Sequence, residues 1–228
     1  MADNVLNSTL YFKLYIMKKI KLTLSCCPAT PRGEQRRDSF LQAAREIFLE
    51  KGYAGTSIDE VVQRTGGSKA SVYKYFGSKE GLFAAMFAER CQAFLAKLNI
   101  PNELSENLED TLSLFAQRVL DASVEAERIA MIRALASEAT RFPDLAQMAY
   151  NTGPKHGLGL LSDFLQRHHQ AKMLNCPHPD IAAIQFMESI KGHVQWRALL
   201  GLTPFPDNIN RQDYIQDAVR TFLRGYQI

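Results

Sequence analysis

An all-α protein is what this chain predicts, with a three-helix helix-turn-helix domain ahead of a second helical bundle. Three observations carry that expectation. Apolar residues recur at i, i+4, i+7 and i+8 from Arg36 onward. Glycine, proline, serine and threonine stand where those segments stop and restart. Beyond Pro101 no run of residues reads as a convincing strand. The domain reading is a loose extension over 1–31, a helix-turn-helix domain over 32–80 with its motif at 57–76, and a second domain over 81–228.

Composition narrows the class. With 228 residues, 46% hydrophobic and 22% charged, the chain can bury a substantial core without staples and resembles an ordinary soluble protein. The net charge of +3 is unevenly spread. Residues 1–97 carry 15 Lys and Arg against 9 Asp and Glu, and residues 98–228 carry 12 against 15, so a basic front precedes an acidic back. Cysteines at 26, 27, 91 and 176 form no C-x-x-C pair or disulfide framework, which predicts a reducing, cytoplasmic setting. No apolar run reaches the roughly eighteen residues of a membrane span. "MKKIKLTLSCC" fails as a signal peptide because Ile20, Leu22 and Leu24 alternate with Lys21 and Thr23.

Residues 1–31 lack helical periodicity and end in "CCPATPRG", hence the loose extension. A basic arm through Lys13, Lys18, Lys19 and Lys21 is the sharper alternative. Phe40, Ala44, Ile47, Phe48 and Lys51 then mark a first helix, stopped by Gly52. Thr56 or Ser57 can cap the second, Glu60 sits where a capping box places it, and Ile58, Val61, Val62 and Thr65 share a face. Gly66 permits a left-handed corner, and Ser68 is placed to cap a third short helix from Lys69. Two short helices joined by a three- or four-residue turn containing glycine have helix-turn-helix proportions. Gly77 and Ser78 open a long fourth helix striped by Leu82, Phe83, Met86, Phe87, Phe94 and Leu98. Further helices follow from Leu112, from "EAERIAMIRALASEATRF", and once or twice across 143–170. Two late stripes complete the pattern: Ile181, Ile184, Met187, Val194 and Leu199, then Ile215, Ala218, Val219, Phe222, Leu223 and Tyr226.

In the third helix, "KASVYKYF", Val72 and Phe76 lie four apart and predict a buried face. Lys69, Ser71, Lys74 and Tyr75 fall away from it, with Tyr73 at its edge. Ammonium groups and hydroxyls are what phosphate oxygens require. A single such tyrosine would read as a core aromatic; the set favours double-stranded DNA, with Lys69, Ala70 and Ser71 near base edges of the major groove. Ser57 and Lys79, at the starts of the second and fourth helices, are placed for backbone phosphates. Arg37 and Thr56 complete the DNA-contact set of Arg37, Thr56, Ser57, Lys69, Ala70, Ser71, Tyr73, Lys74, Tyr75 and Lys79.

"TSIDEVVQRTGGSKASVYKYFGSKEGLF" resembles the DNA-binding signature of TetR-type transcriptional regulators, over about residues 35 to 90. Gly67 replaces the family's usual apolar residue in the turn, and Thr65 its usual alanine before Gly66. The resemblance implies about nine helices and a C-terminal domain that holds an inducer and dimerises through its last two helices, here near 181–200 and 213–226. The two late stripes support that pairing. "SEATRFPDLAQMAYNTGP" resembles AefR-like C-terminal domains of the same family.

Other constellations predict less. His168, His169, Cys176 and His178 in "HHQAKMLNCPH" match no closed zinc spacing, so solvated histidines around a loop are expected and no metal. Phe115, Met131, Met148, Phe164, Met187 and Trp196 could line a cavity, but each reads as plain core, leaving the ligand residues unassigned. With no nucleophile motif, phosphate loop or carboxylate pair, no enzyme and no cofactor are expected. The reading is a homodimeric repressor released from its operator DNA by a small hydrophobic or amphipathic effector, with no membrane partner. A small-molecule or metal sensor bundle without operator binding is the alternative, and a helical hydrolase is disfavoured.

Overall fold

The structure, a computed structural model, describes residues 30–98, 100–101 and 103–227. Among them are ten helices and no strand. Two compact units divide at Glu89 and Arg90, within the fourth helix. Cys26, Cys27 and the four lysines of the suggested arm lie outside the described residues.

In the first unit, α1 spans Pro31–Gly55, with Pro31 in its first turn and the Thr30 hydroxyl accepting the Gly33 N–H at 3.3 Å. Its dihedrals leave the helical region at Gly52 (φ 69, ψ −179), a conformation suited to glycine, and a further turn follows. α2 (Ile58–Thr65) and α3 (Lys69–Phe76) have eight residues each, too few to be stable alone. They are held from behind: Val61, Val72 and Phe76 are almost wholly buried, each contributing about 1.5–3 kcal/mol. α4 (Lys79–Leu98) starts where Ser78 Oγ accepts the Gly81 N–H at 3.1 Å. Aromatic rings fill the centre, with Phe48 and Phe83 4.6 Å apart and Tyr53 5.3 Å from Phe83.

The second unit adds α5 (Leu108–Val124), α6 (Ala126–Glu138), α7 (Pro143–Thr152), α8 (Pro154–Gln170), α9 (Pro179–Leu199) and α10 (Arg211–Gly225). Gly153 and Pro154 split 143–170 into two helices, and a proline stands in the first turn of α7, α8 and α9. α9 packs against α5, α6, α8 and α10, burying Phe115, Phe164, Phe186 and Ile190 at the centre. Arginines reach across to carbonyls where helices end. Arg118 donates to the Leu98 carbonyl at 3.0 Å, and Arg133 to those of Leu199 and Ala198 at 2.8 and 2.7 Å.

Three expectations change here. His168 is not solvated: it is fully buried, accepts the Ser105 N–H on Nε2 at 2.9 Å, and so carries its proton on Nδ1, 2.8 Å from the Phe164 carbonyl. Its neighbour His169 receives the Cys176 N–H at 3.2 Å, and no group of three or more possible metal ligands occurs among the described residues. Trp196 is not core but 61% exposed, whereas Phe115, Met131, Phe164 and Met187 are buried and Met148 half-buried. The stripe on α9 also divides, since Ile181 and Ile184 are exposed while Met187 and Val194 are buried. Each three-residue step falls about 60° short of a turn, so a row of such steps winds off one face. On α10, Ile215 and Val219 are buried and Ala218, Phe222 and Leu223 half-buried, as is Tyr226 just beyond its end.

Candidate nucleic-acid interface

The helix-turn-helix begins with a cap. Ser57 Oγ accepts the Glu60 N–H at 3.1 Å, but the Glu60 carboxylate does not return to complete a capping box. It pairs with Lys51 at 2.8 Å and Arg64 at 3.3 Å. Arg64 also holds Glu50 at 2.8 Å, and that hydrogen bond lowers the Glu50 pKa and raises that of Arg64. The positive charge at the end of α2 is therefore spent within the protein. Gly66 follows at φ 65, ψ 29, the left-handed corner expected of it.

α3 starts under Ser68, whose Oγ accepts the Ser71 N–H at 3.2 Å and lies 2.9 Å from Ser71 Oγ. Val72 and Phe76 face inward as their spacing predicts. Tyr73 is 48% exposed and stands out from the surface rather than at the edge of the buried face. Ala70 and Lys74 are exposed, and Lys74 has no ion pair among the described residues. Lys69 is exposed too, but its ammonium sits 2.6 Å from Asp59, a hydrogen bond that raises its pKa.

Four other residues of the expected set sit differently. Tyr75 is half-buried, its ring 6.0 Å from Phe40 and 6.2 Å from Phe76. Phe40 also lies 6.5 Å from Phe76, so one ring from α1 bridges two neighbouring positions of α3 and widens its buried face. Thr56 is buried and donates its hydroxyl to the Gly52 carbonyl at 2.7 Å, which turns it inward. Lys79 lies over the Tyr53 ring at 4.4 Å, with the Ala54 carbonyl 3.5 Å away. Arg37 lies 3.8 Å from Asp38 and 5.6 Å from the centre of the Phe76 ring.

Sequence reasoning passed over Arg36. Its guanidinium donates to the carbonyls of Thr65 at 3.1 Å and Gly66 at 2.9 Å, and lies over the Phe40 ring at 5.1 Å. That placement accounts for Gly67: a Cβ there would stand 2.8 Å from Arg36 Nη2 and from two Phe40 ring carbons. The space an apolar side chain would fill is already taken. Thr65 has its own role, donating its hydroxyl to the Val61 carbonyl at 2.8 Å. Nothing local in the sequence announces Arg36, because its partners lie 29 and 30 residues away.

Residues 110–228 match the sequence model of the AefR-like transcriptional repressor C-terminal domain, and residues 40–86 that of bacterial regulatory proteins of the tetR family. The chain belongs to the TetR family. The HTH-type transcriptional repressor ComR of Escherichia coli K12 is 26% identical over 171 residues, 72% of this chain and 81% of ComR. The repressor AcnR of Corynebacterium diphtheriae is 33% identical over 78 residues, 34% of this chain and 40% of AcnR. Among solved structures, the Flavonoid-responsive Regulator FrrA superposes with a TM-score of 0.77 at 32% identity, covering 85% of this chain and 98% of that one. A regulator from Mesorhizobium loti, at 24% identity and a TM-score of 0.75, covers 87% of this chain and all of that one, and shows the fold. As a TetR-family member, this protein is a DNA-binding transcriptional regulator.

Proposed function

We propose that this TetR-family regulator is a cytoplasmic homodimeric repressor. Each copy places α3 in the major groove of one half of a pseudo-palindromic operator. The observation that carries the reading is the division of α3 into a buried side, Val72 and Phe76, and an exposed side bearing Lys69, Ala70, Tyr73 and Lys74. A helix fixed from behind and polar in front suits groove entry. Ser57 and Lys79 lie at helix starts, where the dipole favours phosphate. Thr56 is left out because its hydroxyl is turned inward, and Tyr75 keeps only its hydroxyl end for DNA.

Repression is supported by ComR and AcnR, both named as repressors. FrrA, described as flavonoid-responsive, supports a small apolar or amphipathic effector received by the unit from Arg90 onward. An effector releases DNA only by binding two states of the regulator unequally, and a coupling of about 1–3 kcal/mol gives several-fold changes. No helix among the described residues is long and apolar enough to cross a membrane. Catalysis has no part in this reading.

The test is binding to the DNA upstream of the protein's own gene at several salt concentrations. With 6–10 phosphate contacts, affinity should fall roughly 10³- to 10⁵-fold between 50 and 200 mM salt. A chain that shifts no duplex in a sequence-dependent way at the lowest salt would be a sensor bundle without an operator.

A further inference from the structure

We propose that Arg36 and Gly67 form an interlocked clamp that sets the angle of the helix-turn-helix, making Arg36 a positioning residue for operator binding that touches no DNA. This rests on the DNA-binding role of α3 argued above. The corner between α2 and α3 is short and carries no side chain of its own at positions 66 and 67. α2 ends with carbonyls that no later turn of helix satisfies. Arg36 meets two of them, at Thr65 and Gly66, and its planar fork fixes both at once. Its guanidinium rests on Phe40, the ring that flanks Phe76 and Tyr75 of α3. One arginine on α1 therefore grips the end of α2 and leans on the ring that seats α3.

Gly67 is the other half of the device. Its N–H donates to the Val62 carbonyl at 3.3 Å, so the backbone is drawn against the end of α2. Only a residue without Cβ leaves room there for both the guanidinium and the Phe40 ring. Adding a methyl group forces both to move: the arginine, at the far end of a flexible stem, gives way, and the Phe40 ring must shift with it. Removing the arginine in turn frees space into which the Phe40 ring can swing. Substitutions at the two positions thus break one contact rather than two, and their effects are non-additive.

The experiment uses the full-length chain and a duplex recovered by the wild-type protein from random DNA. Arg36→Ala and Gly67→Ala should each weaken binding to that duplex about tenfold or more, as lost hydrogen bonds from a charged donor imply. The double variant should bind within about twofold of the weaker single variant. Because Arg36 meets no phosphate, the slope of log affinity against log salt should not change, whereas a lost phosphate contact lowers it by about 0.9. Arg36→Lys, which keeps the stem and one ammonium, is measured beside them and should bind with intermediate affinity and the wild-type slope, even if the alanine variant fails to fold.

Losses that multiply in the double variant, a slope reduced by about one, or wild-type affinity in Arg36→Ala would each overturn the clamp. A wild-type chain that recovers no duplex would remove the operator reading, and the clamp's role with it. A wild type that binds, beside variants that bind equally well, removes only the clamp.

Discussion

Tyr73 and Tyr75 are two positions apart on α3 and have opposite surroundings, one half open to solvent and the other set against Phe40. On the proposed docking of α3, Tyr73 and Lys74 are therefore the two side chains we expect to contribute most to DNA contact. Tyr73→Phe removes one hydroxyl and Lys74→Ala one ammonium, and both should weaken operator binding while helical content and dimer mass stay unchanged. Lys74→Ala should also reduce the salt slope by about 0.9, the signature of one lost phosphate contact. Unchanged operator affinity in both variants would remove the pair from the interface. At this scale much was legible in the sequence. Ser57, Ser68, Gly66, Val72 and Phe76 do what local rules ask of a cap, a left-handed corner and an i, i+4 pair. Thr56, Tyr75 and Arg36 were not legible, because each is placed by a partner the helical period does not reveal: the Gly52 carbonyl, the Phe40 ring and two carbonyls on α2.

Among the helices, α8 shows how one polar residue can tie a link to a core. His168 lies at the centre of the second unit against Phe164, ring centres 4.1 Å apart, and its Nε2 holds the Ser105 N–H ahead of α5. Its hydrogen bonds explain how a polar ring is tolerated at zero exposure. His168→Leu fills much of the volume but leaves the Ser105 N–H without its acceptor. We expect the variant to be less stable by about 1–3 kcal/mol, read as a lower denaturant midpoint at unchanged slope. Equal midpoints would show that water replaces the imidazole. The pair "HH" at 168 and 169 suggested a wet loop because histidines at a helix end are usually exposed. The helical phase that buries Leu161, Phe164 and Leu165 buries position 168 as well.

For the whole molecule, the apolar surface that α9 leaves open bears on the proposed dimer. α9 turns Ile181 and Ile184 outward, each 49% exposed, while Phe222 of α10 and Tyr226 just after it are half-buried. The exposed aliphatics of α9, with the half-buried apolar residues of α10, are the surface through which we expect two copies to meet. Ile184→Asp places a charge there without entering the core, and should give monomers in sedimentation with helical content intact. A persisting dimer would point to another face. The thiols make a second prediction. Cys91 and Cys176 are buried and free, and burial pushes the Cys91 thiol up to about 11. At pH 8 only about one Cys91 in a thousand is thiolate. Iodoacetamide should therefore modify Cys91 and Cys176 only after denaturation, and rapid labelling of either in the native protein would contradict their burial.

Arg133 gives the second unit a property that no helix in it has alone. Its two hydrogen bonds, to the carbonyls of Ala198 and Leu199, join residues 65 and 66 positions apart, and they seize the end of α9 from α6. A helix end usually frays independently, at little free-energy cost. This one can open only if the arginine lets go, so its protection against hydrogen exchange is tied to the persistence of α6. The last turn of α9, which carries the exposed Trp196 and leads into the exposed Leu200, should therefore exchange its amide protons together with α6 rather than by itself.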